Sequence, residues 1–102
     1  MFEKFEKDVI EFFLQNASNL HCKIDDLQIE KREFSGDGFF TYFRGNVEDS
    51  DTHISNAGAL LNEKIQVGFT LFVNKGKLNF LEGYTYCEPW PENIETYKIF
   101  TT

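Results

Sequence analysis

Proline and cysteine are nearly absent from this chain of 102 residues, each occurring twice, and methionine occurs once. The two prolines, Pro89 and Pro91, sit together and leave the rest of the chain free for regular structure. With 41% apolar residues, this argues against a disordered chain despite its acidity. The cysteines, Cys22 and Cys87, are far apart in sequence and have neither metal-ligand spacing nor the count of a disulfide framework. They read as free thiols of a reducing cytosol, with a single bridge as the other option. No apolar run approaches the roughly 18 residues of a membrane span. The first seven residues mix charges of both signs with no apolar stretch behind them, so no secretory signal is expected. Bases are also few, 10 Lys and Arg against 17 Asp and Glu for a net charge of −7. Such a field repels nucleic acid, whose binding depends on neutralising phosphates. Serine-hydrolase elbow, zinc-protease, phosphate-loop and dinucleotide patterns are missing, and Gly36-Asp37-Gly38 reads as a turn rather than a phosphate cradle.

What is present is aromatic. Twelve phenylalanines bring the aromatic fraction to 17%, and at this length they serve one domain, residues 1–102, with one core. Phe2, Phe5, Val9, Phe12 and Phe13 recur at steps of three and four and predict a helix over the first sixteen residues. Its core stripe leaves Glu3, Lys4, Glu6, Lys7, Asp8 and Glu11 on the other face. Asn16-Ala17-Ser18-Asn19 should end it.

Residues 27–34 and 39–44 then read as a hairpin around Ser35-Gly36-Asp37-Gly38. Its first strand is charged enough for an edge, and its second lies further in. The alternation of Ile65, Val67, Phe69, Leu71 and Val73 is the strongest strand signal. A three-residue turn at Asn74-Lys75-Gly76 would bring Phe69 opposite Leu81 and Gly68 opposite Glu82. The face with Val67, Phe69, Leu71 and Leu81 is the seat for the helix, and Phe80, Glu82 and Tyr84 fall on the other. Between the hairpins an acidic loop leads into a short helix near 55–63. After Cys87, Pro89-Trp90-Pro91 forms an extended corner, Pro91 opens a helical turn over 92–95, and Tyr97, Ile99 and Phe100 form a last strand or docked tail. The expected fold is therefore α+β, an N-terminal helix packed on an antiparallel sheet of four to five strands built from two hairpins.

The charge is local. Residues 45–63 hold Glu48, Asp49, Asp51 and Glu63, and residues 82–95 hold Glu82, Glu88, Glu92 and Glu95, with no Lys or Arg in either stretch. The remainder of the chain is close to neutral. Two acidic stretches attract a basic protein surface, although they also serve plain solubility. Asp49, Asp51 and His53 alternate as metal ligands would, but they lack the glycine and closing glutamate of a calcium loop, and a solvated acidic loop explains them better. His21 beside Cys22 is no nucleophile and base, because sequence neighbours seldom face each other. Glu82 and Glu88 on one strand are too far apart for joint acid–base work. Glu82 among aromatics reads either as a carboxylate satisfied at a sheet end or as an anchor for a partner's Arg or Lys. Tyr84, Tyr86 and Trp90 beside Glu82, Glu88 and Glu92 have the composition of an interface hot spot. Trp90 itself also suits a residue closing the end of the core.

The run Gly68-Phe69-Thr70-Leu71-Phe72-Val73, with Gly76, then Leu81-Glu82-Gly83-Tyr84-Thr85-Tyr86, Glu88 and Trp90-Pro91, resembles a group of small acidic bacterial proteins. They share a GFxLF…LEGYTYxExWP pattern and are similar to the immunity proteins of toxin–immunity and contact-dependent inhibition systems. The resemblance covers about a quarter of the chain and implies a cytoplasmic, non-enzymatic toxin inhibitor. It transfers no contact residues. From charge and aromatics, the expected partner-binding set is Glu48, Asp49, Asp51, Glu82, Tyr84, Tyr86, Glu88 and Trp90. The expected partner is a basic protein, the toxin domain, with no cofactor, metal, nucleic acid or membrane, and the chain itself is a monomer or weak homodimer. Two other readings stand beside it. One is a small-molecule or enzymatic pocket around Phe72, Phe80, Glu82 and Tyr84; the other is a regulatory homodimer pairing through the charged first strand.

Overall fold

The hydrophobic stripe of the first helix and the alternation of the later segments meet in two layers. The computed structural model describes the chain apart from Met1, Ser18, Asn19, His21, Cys22 and Lys23 and the side chains of Phe2 and Glu3. Helix α1 spans Phe2–Gln15, a single 3-10 turn covers Ile24–Asp26, and six strands follow: β1 Ile29–Phe34, β2 Gly38–Phe43, β3 Thr52–Leu61, β4 Ile65–Asn74, β5 Lys77–Thr85 and β6 Tyr97–Thr101. The strands form one antiparallel sheet in the order β1-β2-β5-β4-β3-β6. The α+β class and the helix-on-sheet packing are as the sequence indicates, with six strands instead of four or five. The radius of gyration, 12.9 Å, is that of a folded chain of this length. No helix among the described residues is long and apolar enough to cross a membrane.

The core lies between α1 and one face of the sheet. Phe5, Val9, Ile10 and Phe13 come down from the helix onto Phe39 and Phe43 of β2, Ala57, Ala59 and Leu61 of β3, Val67, Phe69 and Leu71 of β4, and Leu81 of β5. Each such side chain contributes about 1.5–3 kcal/mol of burial. The alanines of β3 are small enough for the helix to approach closely, and α1 touches β3 and β6 directly. Trp90 closes one end of this layer, edge-on to Phe39 at 5.0 Å and tilted toward Phe5 at 6.3 Å.

Four local expectations need correction. Residues 55–63 contain no helix. They form most of β3 and the turn after it, because Ala57, Ala59 and Leu61 alternate inward and pair with β4 and β6, and tertiary pairing outweighs alanine's helical preference. The β4–β5 turn has two residues, with Lys75 at φ 52° and Gly76 at φ 80°, the left-handed pair of a type I′ hairpin. With a bulge at Phe72/Val73 it sets Gly68 opposite Tyr84, Phe69 opposite Gly83 and Thr70 opposite Glu82. The register is thus two residues from the expected one, and every side chain keeps its face. Pro91 opens no helical turn. Asn62 holds the segment extended, its Oδ1 accepting from the Glu95 and Thr96 N–H groups and its amide donating to the Asn93 carbonyl. Finally, Glu6 does not lie on the helix's wet face.

Glu6 is 1% exposed. Arg32 of β1 reaches over the sheet edge and donates to it through Nε at 3.0 Å and Nη2 at 2.5 Å, and the buried Thr41 hydroxyl donates as well. A helix buries about a third of its circumference or more, so the residue beside Phe5 turns inward with it. Among the described residues the ion pair on the solvent side is Lys4 with Asp8; Glu3, like Ser18, Asn19, His21 and Cys22, falls outside the described side chains.

Candidate functional site

The face of the sheet opposite α1 has no layer over it among the described residues. Strand alternation sends Lys31 and Glu33 of β1, Phe40 and Tyr42 of β2, Phe80, Glu82 and Tyr84 of β5, Thr70 and Phe72 of β4, and His53 and Ser55 of β3 to this side. Their register stacks them in rows across the strands. One row is entirely ring-bearing: Tyr42 to Phe80 at 5.4 Å, Phe80 to Phe72 at 4.3 Å and nearly parallel, Phe72 to His53 at 5.9 Å. The next row runs Phe40, Glu82, Thr70, with the Ser55 and Thr70 hydroxyls 3.1 Å apart. In the third, the Tyr84 ring lies over Gly68, where an added Cβ would come within 2.8 Å of it. Aromatic cover of this kind seals the weak point that a glycine makes in a strand.

Glu82 is the exception in this apolar setting. It is flanked by Phe80 and Tyr84 along its own strand and faces Phe40 across β2 and Thr70 across β4. No hydrogen bond or ion pair reaches it among the described residues, and burial alone pushes its carboxyl above the usual range. At the β1 end of the face a carboxylate, a ring and a cation occur together. Lys31 stands over the Tyr42 ring at 5.0 Å, and burial, with the Glu33 carboxylate assisting, holds the Tyr42 hydroxyl above its ordinary pKa.

The expected site residues divide between three places. Glu82 and Tyr84 lie on the open face, and Tyr86 joins them, its ring edge-on to Tyr84 at 5.8 Å. Glu48, Asp49 and Asp51 lie at the other end of β5, in a loop held by the buried Asn79, which bonds both Val47 backbone groups and the Ser50 hydroxyl. By strand rise this loop is some 25 Å from Tyr86. Asp51 caps the Lys75 N–H at 3.0 Å, and His53 leaves that loop to pack on Phe72. Glu88 follows β5, its carbonyl and that of Asp37 meeting the Thr85 hydroxyl, while Trp90 turns inward to the core. Cys87 is exposed and unpaired. Phe40, Tyr42 and His53 complete the face and were not foreseen as members. Their signal was present in Phe39-Phe40-Thr41-Tyr42-Phe43, which is apolar at both parities.

None of the described cavities is lined by Phe80, Glu82 or Tyr84, although one of about 530 Å³ adjoins Tyr86 and Glu88. The largest of those described, about 700 Å³, opens between α1, the 3-10 turn and β1 beside Glu6 and Arg32. Comparison with protein-family models, with curated proteins and with solved structures finds no match for this chain.

Proposed function

We propose that this chain is a non-enzymatic binding protein of the immunity type, a bacterial, cytoplasmic inhibitor that neutralises a cognate toxin by laying its open sheet face on a basic site of that toxin. The carrying observation is the unpaired Glu82 carboxylate in a partly exposed aromatic surface. Rings that supply large contact area at low entropy cost, around one carboxylate awaiting a cation, are the makings of a hot spot. If the toxin is a nuclease, its cleft is basic because it holds phosphates, and an acidic inhibitor competes for the same side chains. Glu48, Asp49 and Asp51, remote from the face, act in this reading through the long-range field and speed encounter. Tyr86 and Glu88 border the contact.

The test is capture of partners on the tagged protein from lysate of its own organism, with Glu82→Lys as the comparison and washes of rising salt. One basic partner held by the wild type in near-stoichiometric amount and lost by the variant is expected, a weakening of about 2–5 kcal/mol. Co-expression with that partner should restore growth. Equal retention by a folded Glu82→Lys protein removes this face from the site. If no partner is held and a small-molecule screen raises the melting temperature instead, a ligand-binding domain is the better description.

A further inference from the structure

Two carboxylates on the open face stand beside rings, and among the described residues a cation lies over the ring beside only one of them. Glu33 shares Tyr42 with Lys31, whose ammonium lies 5.0 Å from the ring centroid. Glu82 has Phe40 directly across the strand pair and Phe80 and Tyr84 two residues away on either side. Phe40 and Phe80 are themselves in contact, tilted at 6.1 Å. Directly opposed Cβ atoms lie about 5 Å apart, and same-face neighbours along a strand roughly 7 Å. Three rings therefore neighbour the carboxylate, within side-chain reach of a planar cation seated on it.

We propose that Glu82, Phe40, Phe80 and Tyr84 form a clamp for an arginine side chain of the partner protein. The inference rests on the binding reading above and names the group recognised. Arginine fits better than lysine because its guanidinium is flat, stacks on a ring and offers two parallel N–H groups to one carboxylate. Its weaker hydration also lowers the cost of entering an apolar surface. The Thr70 hydroxyl, next to Glu82 across β4, offers a further acceptor for a guanidinium N–H.

The probe is a capped Gly-Arg-Gly peptide titrated into the full chain, with its lysine and citrulline counterparts, followed by NMR at the Glu82 side-chain carboxyl and at the ring resonances of Phe40, Phe80 and Tyr84. The arginine peptide should shift these signals saturably, the lysine peptide should bind at least about threefold more weakly, and citrulline should leave them unmoved. Glu82→Gln and Phe80→Leu should each abolish the response while the signals of Val9 and Phe13, on the other face of the sheet, stay in place, which reports an intact core. Equal response to arginine and lysine, or an arginine response that survives Glu82→Gln, overturns the clamp. So does the absence of any shift. Peptide binding with no captured toxin keeps the clamp and removes the immunity reading; a captured toxin indifferent to Phe80→Leu and Glu82→Gln does the reverse.

Discussion

Glu6 and Glu82 lie on opposite faces of one sheet, and their surroundings differ in almost every respect. Glu6 is sealed beneath α1, takes two donors from Arg32 and one from Thr41, and joins the helix to the edge strand β1 and its neighbour β2. Glu82 is half-buried among rings and takes no hydrogen bond or ion pair from the described residues. Desolvating a carboxylate is costly in both places. At Glu6 the fold supplies the compensation; at Glu82, among the described residues, it does not. The largest effect in the molecule should come from breaking the compensated site. Glu6→Leu alone is expected to lower stability by about 3 kcal/mol, because the Arg32 guanidinium loses its carboxylate. That is on the order of 12–20 °C in melting temperature for a domain of this size. Adding Arg32→Met should recover most of it, since a buried pair exchanged for apolar groups of similar volume is close to neutral. Urea unfolding of the two variants checks both halves. The same pair of changes should leave the open face, and the arginine peptide's affinity, unaltered.

Glycines sharpen the contrast. Phe39 covers Gly83 on the inner face and Tyr84 covers Gly68 on the outer, each ring occupying the place of a side chain. Phe39 is 1% exposed and wedged against Trp90, so a methyl at Gly83 meets a ring that cannot retreat. Gly83→Ala should cost about 2–3 kcal/mol. Tyr84 can swing toward solvent, so Gly68→Ala should cost less than about 1 kcal/mol while moving a wall of the proposed clamp. Thermal melts of the two alanine variants, with the peptide titration on the second, distinguish a packing glycine from a site-shaping one.

How far the sequence revealed this division depends on the signal each residue leaves. The helix and the β4–β5 hairpin were legible because their periods, 3.6 and 2, persist over many residues. The facing of β5 was legible as well, since a register error of two residues preserves parity. Strand β3 was not. Thr52–Leu61 is rich in Ser, Asn, Gly and Ala, poor strand formers whose pairing is set by neighbours remote in sequence. The Glu6–Arg32 pair was hidden for the same reason: 26 positions separate them, and an isolated Glu beside Lys7 looks like any solvated helix residue. On the open face, Glu82 and Tyr84 could be placed together by strand parity, whereas Phe40 and Tyr42 became their neighbours only through the β2–β5 pairing. The acidic loop at Glu48–Asp51 could be counted in the sequence, but its placement at the far end of the sheet required the topology.

A smaller effect separates two carboxylates by the sign of their pH dependence. Asp8 accepts from the Tyr97 hydroxyl, and that bond, with Lys4 assisting, holds its carboxyl below the usual range. A depressed folded pKa means that the stabilisation is present above the unfolded value and is lost as pH falls through the folded one. Tyr97→Phe should therefore cost about 0.5–1 kcal/mol at neutral pH, allowing for Asp8's partial exposure, and almost nothing in strong acid. Denaturant midpoints at the two pH values would show the difference.

Glu82 has the opposite sign and the smallest effect. Burial raises its folded pKa, so the folded state holds its proton more tightly than the unfolded chain. Stability then declines as pH rises from the unfolded value, about 4.3, through the raised folded value, and stays at the lower level above it. Glu82→Gln removes the charge and keeps the shape. It should stabilise the protein by up to about 1 kcal/mol at pH 7 and leave it unchanged in acid. A residue that costs stability while its replacement abolishes partner binding is kept for the partner. If Glu82→Gln instead lowers stability at pH 7, the carboxylate is serving the fold, as Glu6 does, and the two faces of the sheet are alike after all.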